Sequence, residues 1–402
     1  MNSFPQFIGS QGWSFTLNGA PQDNQNVIQE ALKQFRKDQA TTPGTTKLQA
    51  TPAPMTPQQY INLLVQHMSL KQKLGQMMFV QFAGQDYTFD LPEMITQDDV
   101  GSVLFFQSNI VSKPQLKGLI QQMQKNASSG IPLIISTDEE GGFVDRLKDL
   151  DGPRSGPYQI NTVNEAKNAG RQVANDLAYY GINLNLAPVV DVTNVDSNES
   201  YNGRTFGNNA ATVTRLAGAY LQGLQQSGKV SGALKHFPGL GDITGDPHQD
   251  VTWLTRSKSQ MESIDWAPYR SLLTQGNVHA ILVTHEIVPA IDSNLPASLS
   301  PKVITGILRK ELGFQGVVIT DSLNMQGLLA RYTETQATIL AVQAGADLIM
   351  GGSDAQTVSA MLQALTQAIS SGQISQQRID DSVSRILMLK YDMGLIKLPS
   401  NP

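Results

Sequence analysis

Eight short apolar runs recur along the chain after residue 56, and amphipathic helical stretches separate most of them. The runs lie at 77–80, 100–106, 132–136, 182–190, 230–234, 280–283, 316–319 and 346–350. Helical spacing marks the stretches 164–180, 212–226, 301–312, 336–344 and 355–370. A strand followed by a helix, repeated eight times, predicts an α/β domain, either a (β/α)8 TIM-type barrel or a doubly wound sheet.

Polar side chains follow five of the eight runs directly. The polar ends lie at 137–142, 191, 235–236, 284–286 and 320–322. Barrel enzymes build their active sites from the C-terminal ends of their strands. The placement therefore favours a single (β/α)8 barrel with one concave site lined by titratable groups.

The first 55 residues differ from the rest because they are rich in Gln, Asn, Thr and Pro. This composition predicts a disordered or linker-like, low-complexity N-terminal tail over 1–55, in which 26–38 is the one candidate helix. At Thr56 a capping residue precedes Pro57 at the first helical position, which predicts the start of the barrel domain over 56–398. A closing helix is expected at 376–393.

The composition excludes several classes of function. The chain has 402 residues, a formal net charge of -5 and no cysteine. Without a basic cluster we expect no nucleic-acid partner, and without cysteine neither disulfides nor thiol chemistry is available. No apolar run is long enough to span a membrane, and no export signal is visible. We expect a monomer, which is cytoplasmic if the chain is whole and extracytoplasmic if the tail is a spacer from an omitted export or anchor segment.

The stretch 235–248 combines charged side chains with three glycines and two prolines, directly after an apolar run. It predicts a buried strand that ends in a charged tip and opens into a loop. Asp246 and His248 stand two residues apart, so in an extended loop both side chains point the same way. A carboxylate that orients an imidazole is a common way to build an acid/base group.

Asp321 lies at the end of the seventh apolar run and directly before a helical stretch. A carboxylate held rigidly at a strand tip suits a nucleophile beside a reacting carbon. The same position suits a helix N-cap, and the residues alone leave these two interpretations even.

Two further side chains have both a binding and a structural interpretation. Asp138 lies in a turn bounded by glycines and would accept hydrogen bonds from sugar hydroxyls, or form an ion pair with Arg146. Arg204 lies in the loop 202–207 and would clamp an anionic or hydroxyl-rich ligand, or remain a solvated loop arginine.

Lys235 and the histidines permit two other chemistries. A lysine at a barrel strand tip suits a Schiff-base aldolase. A metal site would draw on three histidines and two carboxylates, namely His236, His248, His285, Asp138 and Asp321. Neither chemistry explains the pair Asp246 and His248, and the sequence has no HExxH pattern, so we expect neither a metal nor another cofactor.

The motif Lys-His-Phe-Pro-Gly-x-Gly followed by x4-Asp-x-His, at 235–248, resembles the signature of family 3 β-N-acetylhexosaminidases of the NagZ type. Four other segments resemble motifs of that family in the same order. The segments lie at 138–147, 183–192, 203–207 and 318–322. They resemble, in this order, the family motifs Asp-Gln-Glu-Gly-Gly-x-Val-x-Arg-Leu, Asn-x-x-x-Ala-Pro-Val-x-Asp-Val and Gly-Arg-Ser-Phe-Gly, and the segment that carries the nucleophile. The resemblance extends from about residue 60 to about residue 395.

The resemblance implies a single-barrel, retaining exo-glycosidase that hydrolyses terminal non-reducing β-linked N-acetylglucosamine. We expect its substrate to be a muropeptide from peptidoglycan or a chitin oligosaccharide. Asp321 matches the nucleophile, and the Asp246–His248 dyad matches the acid/base group of short family members that lack a second domain. The residues expected to hold the sugar are Asp138, Arg204, Lys235 and His236, together with Arg146 and His285.

Three departures from the family pattern matter for the site. Leu240 stands where His is usual, Pro247 where Ser is usual, and Glu139 where Gln is usual. Pro247 lies inside the dyad and would restrict loop closure. The alternatives are a family 3 β-glucosidase, a sugar-binding protein without turnover, and a Schiff-base lyase that uses Lys235.

Overall fold

The computed structural model describes residues 27–40, 55–193, 203–241, 243 and 252–399 of the chain. These residues form the strands β1 (Met78–Val80), β2 (Ser102–Phe105), β3 (Ile134–Thr137), β4 (Glu139–Gly141), β5 (Val144–Asp145), β6 (Leu184–Asn185), β7 (Ser231–Phe237), β8 (Ala280–Val283), β9 (Ile287–Val288), β10 (Asp292–Pro296), β11 (Val317–Thr320) and β12 (Ile349–Met350).

Helices surround these strands over the same residues. They are α1 (Val27–Ala40), α2 (Pro57–His67), α3 (Leu70–Met77), α4 (Asp90–Thr96), α5 (Lys113–Lys125), α6 (Lys148–Asp151), α7 (Val163–Tyr180), α8 (Ala210–Gln225), α9 (Lys258–Ser263), α10 (Trp266–Leu273), α11 (Gln326–Leu329), α12 (Glu334–Ala344), α13 (Ala355–Ser370) and α14 (Gln376–Asp392). Short 3₁₀ helices lie at Gln107–Asn109, Pro157–Gln159 and Ala297–Leu299, and a π-helix lies at Lys302–Glu311.

Eight parallel strands form the barrel, in the order β11, β8, β7, β6, β3, β2, β1 and β12. A parallel bridge between Ile319 and Leu348 joins β11 to the segment leading into β12 and closes the ring. Each of the eight apolar runs overlaps one barrel strand, and the barrel predicted from the sequence is confirmed. The runs are apolar throughout because side chains on both faces are buried, inside the barrel and beneath the helices.

The helix ends follow the capping chemistry of the sequence. Thr56 caps α2 in a capping box with Gln59, as expected for a helix that starts at this point. Helix α7 ends at Gly181, whose positive φ of 93° suits glycine. The predicted helix 301–312 is a π-helix instead, because Gly306 N donates to Pro301 O at 2.9 Å and Leu312 N donates to Ile307 O at 2.8 Å.

Helix α1 modifies the interpretation of residues 1–55 as a tail. The helix expected at 26–38 lies at Val27–Ala40, and its residues Val27 and Ala31 are buried in the main hydrophobic core. Val27 N also donates a hydrogen bond of 3.0 Å to Ser129 O. This part of the segment therefore contributes to the barrel domain, and the domain boundary after residue 55 stays a prediction.

A small hairpin follows β3 and carries part of the polar rim. Strands β4 and β5 pair antiparallel through the two-residue turn Gly142–Phe143. Gly141 at the end of β4 and Gly142 in the turn have positive φ values of 86° and 65°. The sequence predicted polar residues here but no hairpin. The reason is that two- and three-residue strands leave too short a pattern for alternation to be read.

The buried carboxyl group of Glu139 holds this hairpin together. Its Oε2 accepts hydrogen bonds from Arg146 N at 2.8 Å and Leu147 N at 3.1 Å. Its Oε1 lies 3.0 Å from Arg154 Nε, and the carboxyl group of Asp145 is close enough to affect its ionisation. Burial, together with the neighbouring Asp145, raises the pKa of Glu139 to about 8, against the lowering effect of Arg154.

No helix in the described parts of the chain is long and apolar enough to cross a membrane.

Substitution of Val27 tests the packing of α1. Val27→Asp places an unpaired charge in the core, so we expect the free energy of unfolding to fall by about 1–3 kcal/mol. Lys33→Asp is the matched control because Lys33 is 71% exposed on the same helix. Thermal melting of both variants measures the effect. Equal melting temperatures for Val27→Asp and the wild type would show that α1 contributes nothing to the barrel.

Substitution of Glu139 tests the raised pKa of this buried carboxyl group. The folded protein keeps Glu139 protonated up to about pH 8, whereas the unfolded chain releases the proton near the ordinary pKa of 4.5. The contribution of Glu139 to stability therefore falls as the pH rises through this window and is lowest above it. Glu139→Gln keeps one acceptor, supplies a donor to Asp145 and does not titrate. The melting temperature of the variant minus that of the wild type should therefore increase by at least about 2 °C as the pH rises from 5 to 9.

The exposed carboxylate of Asp86 provides the control for this pH series. Asp86→Asn should follow the wild-type profile. A constant difference in melting temperature between Glu139→Gln and the wild type at every pH would contradict the raised pKa of Glu139.

Candidate active site

An ion-pair network links three segments at the C-terminal mouth of the barrel. Lys235 Nζ lies 2.6 Å from Asp138 Oδ1 and 2.6 Å from Glu140 Oε1. Arg204 donates to the same Glu140 carboxylate, from Nε at 2.7 Å and from Nη2 at 2.8 Å. The network joins the end of β3 and its hairpin to β7 and to the loop before α8.

Charge compensation fixes the ionisation of this network. Burial alone would raise the pKa of Glu140, but Lys235 and Arg204 lower it below its ordinary value. Burial alone would lower the pKa of Lys235, and Asp138 with Glu140 raises it instead. Both groups are therefore charged at neutral pH, as a buried ion pair needs.

His236 is held by Asp191, which the sequence placed at a polar strand end without a role. His236 Nδ1 lies 2.7 Å from Asp191 Oδ2, and Asp191 Oδ1 accepts from His236 N at 3.2 Å and from Leu240 N at 2.9 Å. Lys235 and His236 belong to β7 itself, which extends to Phe237, rather than to a loop after the strand. The Lys235–His236 and Phe237–Pro238 peptide bonds in this segment are cis.

Asp321 lies directly after β11, where its backbone N donates to Val283 O at 2.8 Å. Its Oδ1 accepts from Ser322 N at 2.8 Å. No α-helix begins here, because the next one, α11, starts only at Gln326. The structure therefore favours a strand-tip carboxylate over a helix N-cap at this position.

His285 lies close to Asp321 in the fold and is fixed at both ring nitrogens. Nδ1 lies 2.7 Å from Ser298 Oγ, and Nε2 lies 2.9 Å from Ser322 O. This places the imidazole beside the segment that carries Asp321, with its orientation set by two partners. His285 thus supports the position of that segment.

Glu286 is a further buried carboxyl group at this end of the barrel. Both of its oxygens lack a hydrogen-bond partner among the described residues, and burial raises its pKa well above the ordinary value, with smaller contributions from Asp191 and Asp321. Burial and the two neighbouring carboxyl groups thus disfavour the charged form of Glu286.

The structure brings together most of the predicted site residues. Those at the barrel mouth are Asp138, Arg204, Lys235, His236, His285 and Asp321. Asp246, Pro247 and His248 lie outside the described residues. The dyad therefore stays a prediction.

Arg146 does not form the ion pair with Asp138 that the sequence offered as one interpretation. Asp138 pairs with Lys235 instead, and the Arg146 guanidinium lies 5.9 Å from the centre of the Phe106 ring. A role for Arg146 in sugar binding stays a prediction.

Sequence reasoning missed the roles of Glu140 and Asp191. Both lie inside segments that resemble family motifs, at 138–147 and 183–192. This resemblance could have pointed to both residues. The two cations on the Glu140 carboxylate, Lys235 and Arg204, make it a poor proton donor. Among the described residues, no group of three or more His, Asp or Glu side chains is arranged to hold a metal ion.

Several known glycosidases resemble this chain in sequence and in fold. A β-hexosaminidase of Mycobacterium tuberculosis, LpqI, is 35% identical over 337 residues, which cover 80% of this chain and 83% of LpqI. A solved family 3 β-N-acetylglucosaminidase from Paenibacillus sp. FPU-7 superposes with a TM-score of 0.77 at 34% identity, over 83% of this chain and 64% of that one.

Some relatives are considerably longer than this chain. Beta-hexosaminidase A of Pseudoalteromonas piscicida is 29% identical over 334 residues, which cover 75% of this chain but only 55% of the relative. The model of the glycosyl hydrolase family 3 N-terminal domain matches residues 69–389. The match spans all eight barrel strands and every described residue of the mouth, so this chain belongs to glycosyl hydrolase family 3, as its motifs predicted.

Proposed function

We propose that this chain is a retaining exo-glycosidase that removes terminal β-linked N-acetylglucosamine from amino-sugar oligosaccharides. The observation that carries the proposal is the convergence of Asp321 with the network of Lys235, Asp138, Glu140 and Arg204 at one barrel mouth. A nucleophilic carboxylate and an array of charged hydrogen-bonding groups are what a glycosidase needs around a sugar ring.

In the proposed first step, an Asp321 carboxylate oxygen attacks the anomeric carbon. The bond between that carbon and the glycosidic oxygen breaks, and His248 gives its proton to the departing oxygen. In the second step, His248 removes a proton from water, and the water oxygen displaces Asp321 from the anomeric carbon. Asp246 orients the imidazole in both steps.

The ion-pair network would hold the terminal sugar through its hydroxyl groups. Asp138 is bound through one oxygen by Lys235, which leaves its other carboxylate oxygen to accept from a ligand. Arg204 and Lys235 are fixed by Glu140 in one geometry, so little side-chain entropy would be lost when a sugar binds. His236, oriented by Asp191, would act at the same subsite.

The Schiff-base alternative fits this site poorly. An amine nucleophile has to be neutral, but Lys235 lies between two carboxylates that raise its pKa. The structure gives no comparable objection to the β-glucosidase alternative or to sugar binding without turnover.

The choice of N-acetylglucosamine rests on the names of relatives, since LpqI is a β-hexosaminidase and the Paenibacillus protein is a β-N-acetylglucosaminidase. Peptidoglycan fragments and chitin oligosaccharides both present this sugar at a terminus. We propose such a carbohydrate as the substrate, and a monomer as the acting form.

A panel of aryl β-glycosides tests the activity. We expect release of the aryl group from the N-acetylglucosaminide, at a kcat/KM at least about a hundredfold above that for the glucoside. The reason is that glucose lacks the acetamido group, so the polar groups that bind it are left without a partner. Faster hydrolysis of the glucoside would move the assignment to a β-glucosidase. Binding of N-acetylglucosamine without hydrolysis of any aryl glycoside would indicate a sugar-binding protein.

The dyad is tested by comparing leaving groups. An acid helps most when the departing alcohol is poor, so His248→Ala should lower kcat/KM on an N-acetylglucosamine disaccharide by about 10²–10⁴-fold and much less on a nitrophenyl glycoside. Asp246→Asn should give the same pattern more weakly, because it only orients the imidazole. Equal losses on the two substrates would assign His248 to binding or loop support and leave the proton donor unidentified.

A further inference from the structure

Two aromatic side chains, Phe143 and Tyr158, stand exposed beside the ion-pair network. Phe143 is 68% exposed in the turn between β4 and β5, and Tyr158 is 56% exposed on the 3₁₀ helix Pro157–Gln159. Aromatic rings are among the side chains that gain most free energy from burial. A ligand that covers these exposed rings would therefore bind favourably.

The two turns that carry these rings are bound to each other. Gly142 N donates to Arg154 O at 3.0 Å, and a Cβ placed on Gly142 would lie 2.7 Å from Gly156 Cα. Only glycine allows this close approach, which brings Phe143 and Tyr158 onto neighbouring turns. Gly156 N also donates to Gln159 Oε1 at 2.9 Å, which fixes the 3₁₀ helix.

The same turns are continuous with the network that would hold the terminal sugar. Phe143 lies three residues after Glu140, so the Cα atoms of the two are within about 11 Å of each other. Tyr158 N donates to Gly203 O at 3.4 Å, and the Tyr158 ring covers Gly203, where a Cβ would lie 2.3 Å from Cδ1. Gly203 directly precedes Arg204, which binds Glu140.

We propose that Phe143 and Tyr158 form a platform that binds the sugar units following the scissile bond in an oligosaccharide substrate. The proposal rests on the glycosidase function proposed above and extends it to the part of the substrate that leaves. The faces of β-linked N-acetylglucosamine rings carry C–H groups and stack on aromatic rings, while their equatorial hydroxyl groups remain in water.

The size of the platform favours a sugar chain over a protein partner. A fully buried aromatic side chain contributes about 150–250 Å², so two rings supply at most about 500 Å². A stable protein interface buries about 800 Å² on each partner. Two rings match the dimensions of one or two sugar units and are too small for a protein interface.

Chain-length dependence of hydrolysis by the full chain tests this platform. We expect the wild-type kcat/KM on N-acetylglucosamine oligosaccharides to rise as the chain grows from two to about four units. Phe143→Ala and Tyr158→Ala should each lower kcat/KM on the longer oligosaccharides by about 5- to 100-fold, the effect of removing one stacking ring. On the aryl N-acetylglucosaminide, which has no further sugar units, both variants should stay within about twofold of the wild type.

Three variants separate stacking from structural effects. Phe143→Trp and Tyr158→Phe keep a ring and should retain the chain-length dependence. Tyr179→Ala removes a tyrosine that is 55% exposed on the outer helix α7, and it should match the wild type on every substrate. Equal losses on the aryl glycoside and on the oligosaccharides would overturn the platform in favour of a structural role.

The outcome separates this proposal from the activity on which it rests. Wild-type hydrolysis of the aryl N-acetylglucosaminide reports the glycosidase function alone. If that hydrolysis occurs but Phe143→Ala and Tyr158→Ala leave the oligosaccharide rates unchanged, the platform is overturned and the glycosidase stands. If no glycoside is hydrolysed, the function fails, and with it the platform as a product-side subsite.

Discussion

The double pairing of Glu140 is the constraint on which the barrel mouth depends. Its buried carboxylate receives Lys235 from β7 and Arg204 from the loop before α8, so one acidic group fixes two cations from distant segments. Removing one partner of such a group would leave a buried charge uncompensated, which costs about 3–5 kcal/mol. Asp138 depends on the same arrangement because Lys235 bridges it to Glu140.

The hairpin after β3 positions the Glu140 carboxylate for these contacts. The carboxyl group of Glu139 holds the hairpin from inside through Arg146 N and Leu147 N, while the neighbouring Glu140 takes part in the mouth. Adjacent residues in a strand point to opposite faces, so Glu139 and Glu140 serve two different environments. This explains how a carboxyl group at position 139, where the family pattern has Gln, leaves the charge of the mouth unchanged.

Local patterns predicted the fold well and the contacts of the site only in part. The eight barrel strands were predictable because they are buried on both faces, and helix α13 was found at its observed bounds because its apolar stripe and its cap at Asp354 agree. The pairing of Lys235 with Asp138 joins residues 97 positions apart, and that of Arg204 with Glu140 joins residues 64 apart. No local pattern specifies which of several charged strand ends will meet.

Mass spectrometry of a trapped intermediate tests whether Asp321 forms a covalent bond with the sugar. The enzyme is incubated with a fluorinated N-acetylglucosaminyl fluoride that slows hydrolysis of the glycosyl-enzyme, and the labelled peptide is then sequenced. We predict one added glycosyl group per chain, located on Asp321 and absent from Asp321→Asn. A label on another side chain, or turnover of the reagent by folded Asp321→Asn at the wild-type rate, would show that Asp321 is not the nucleophile.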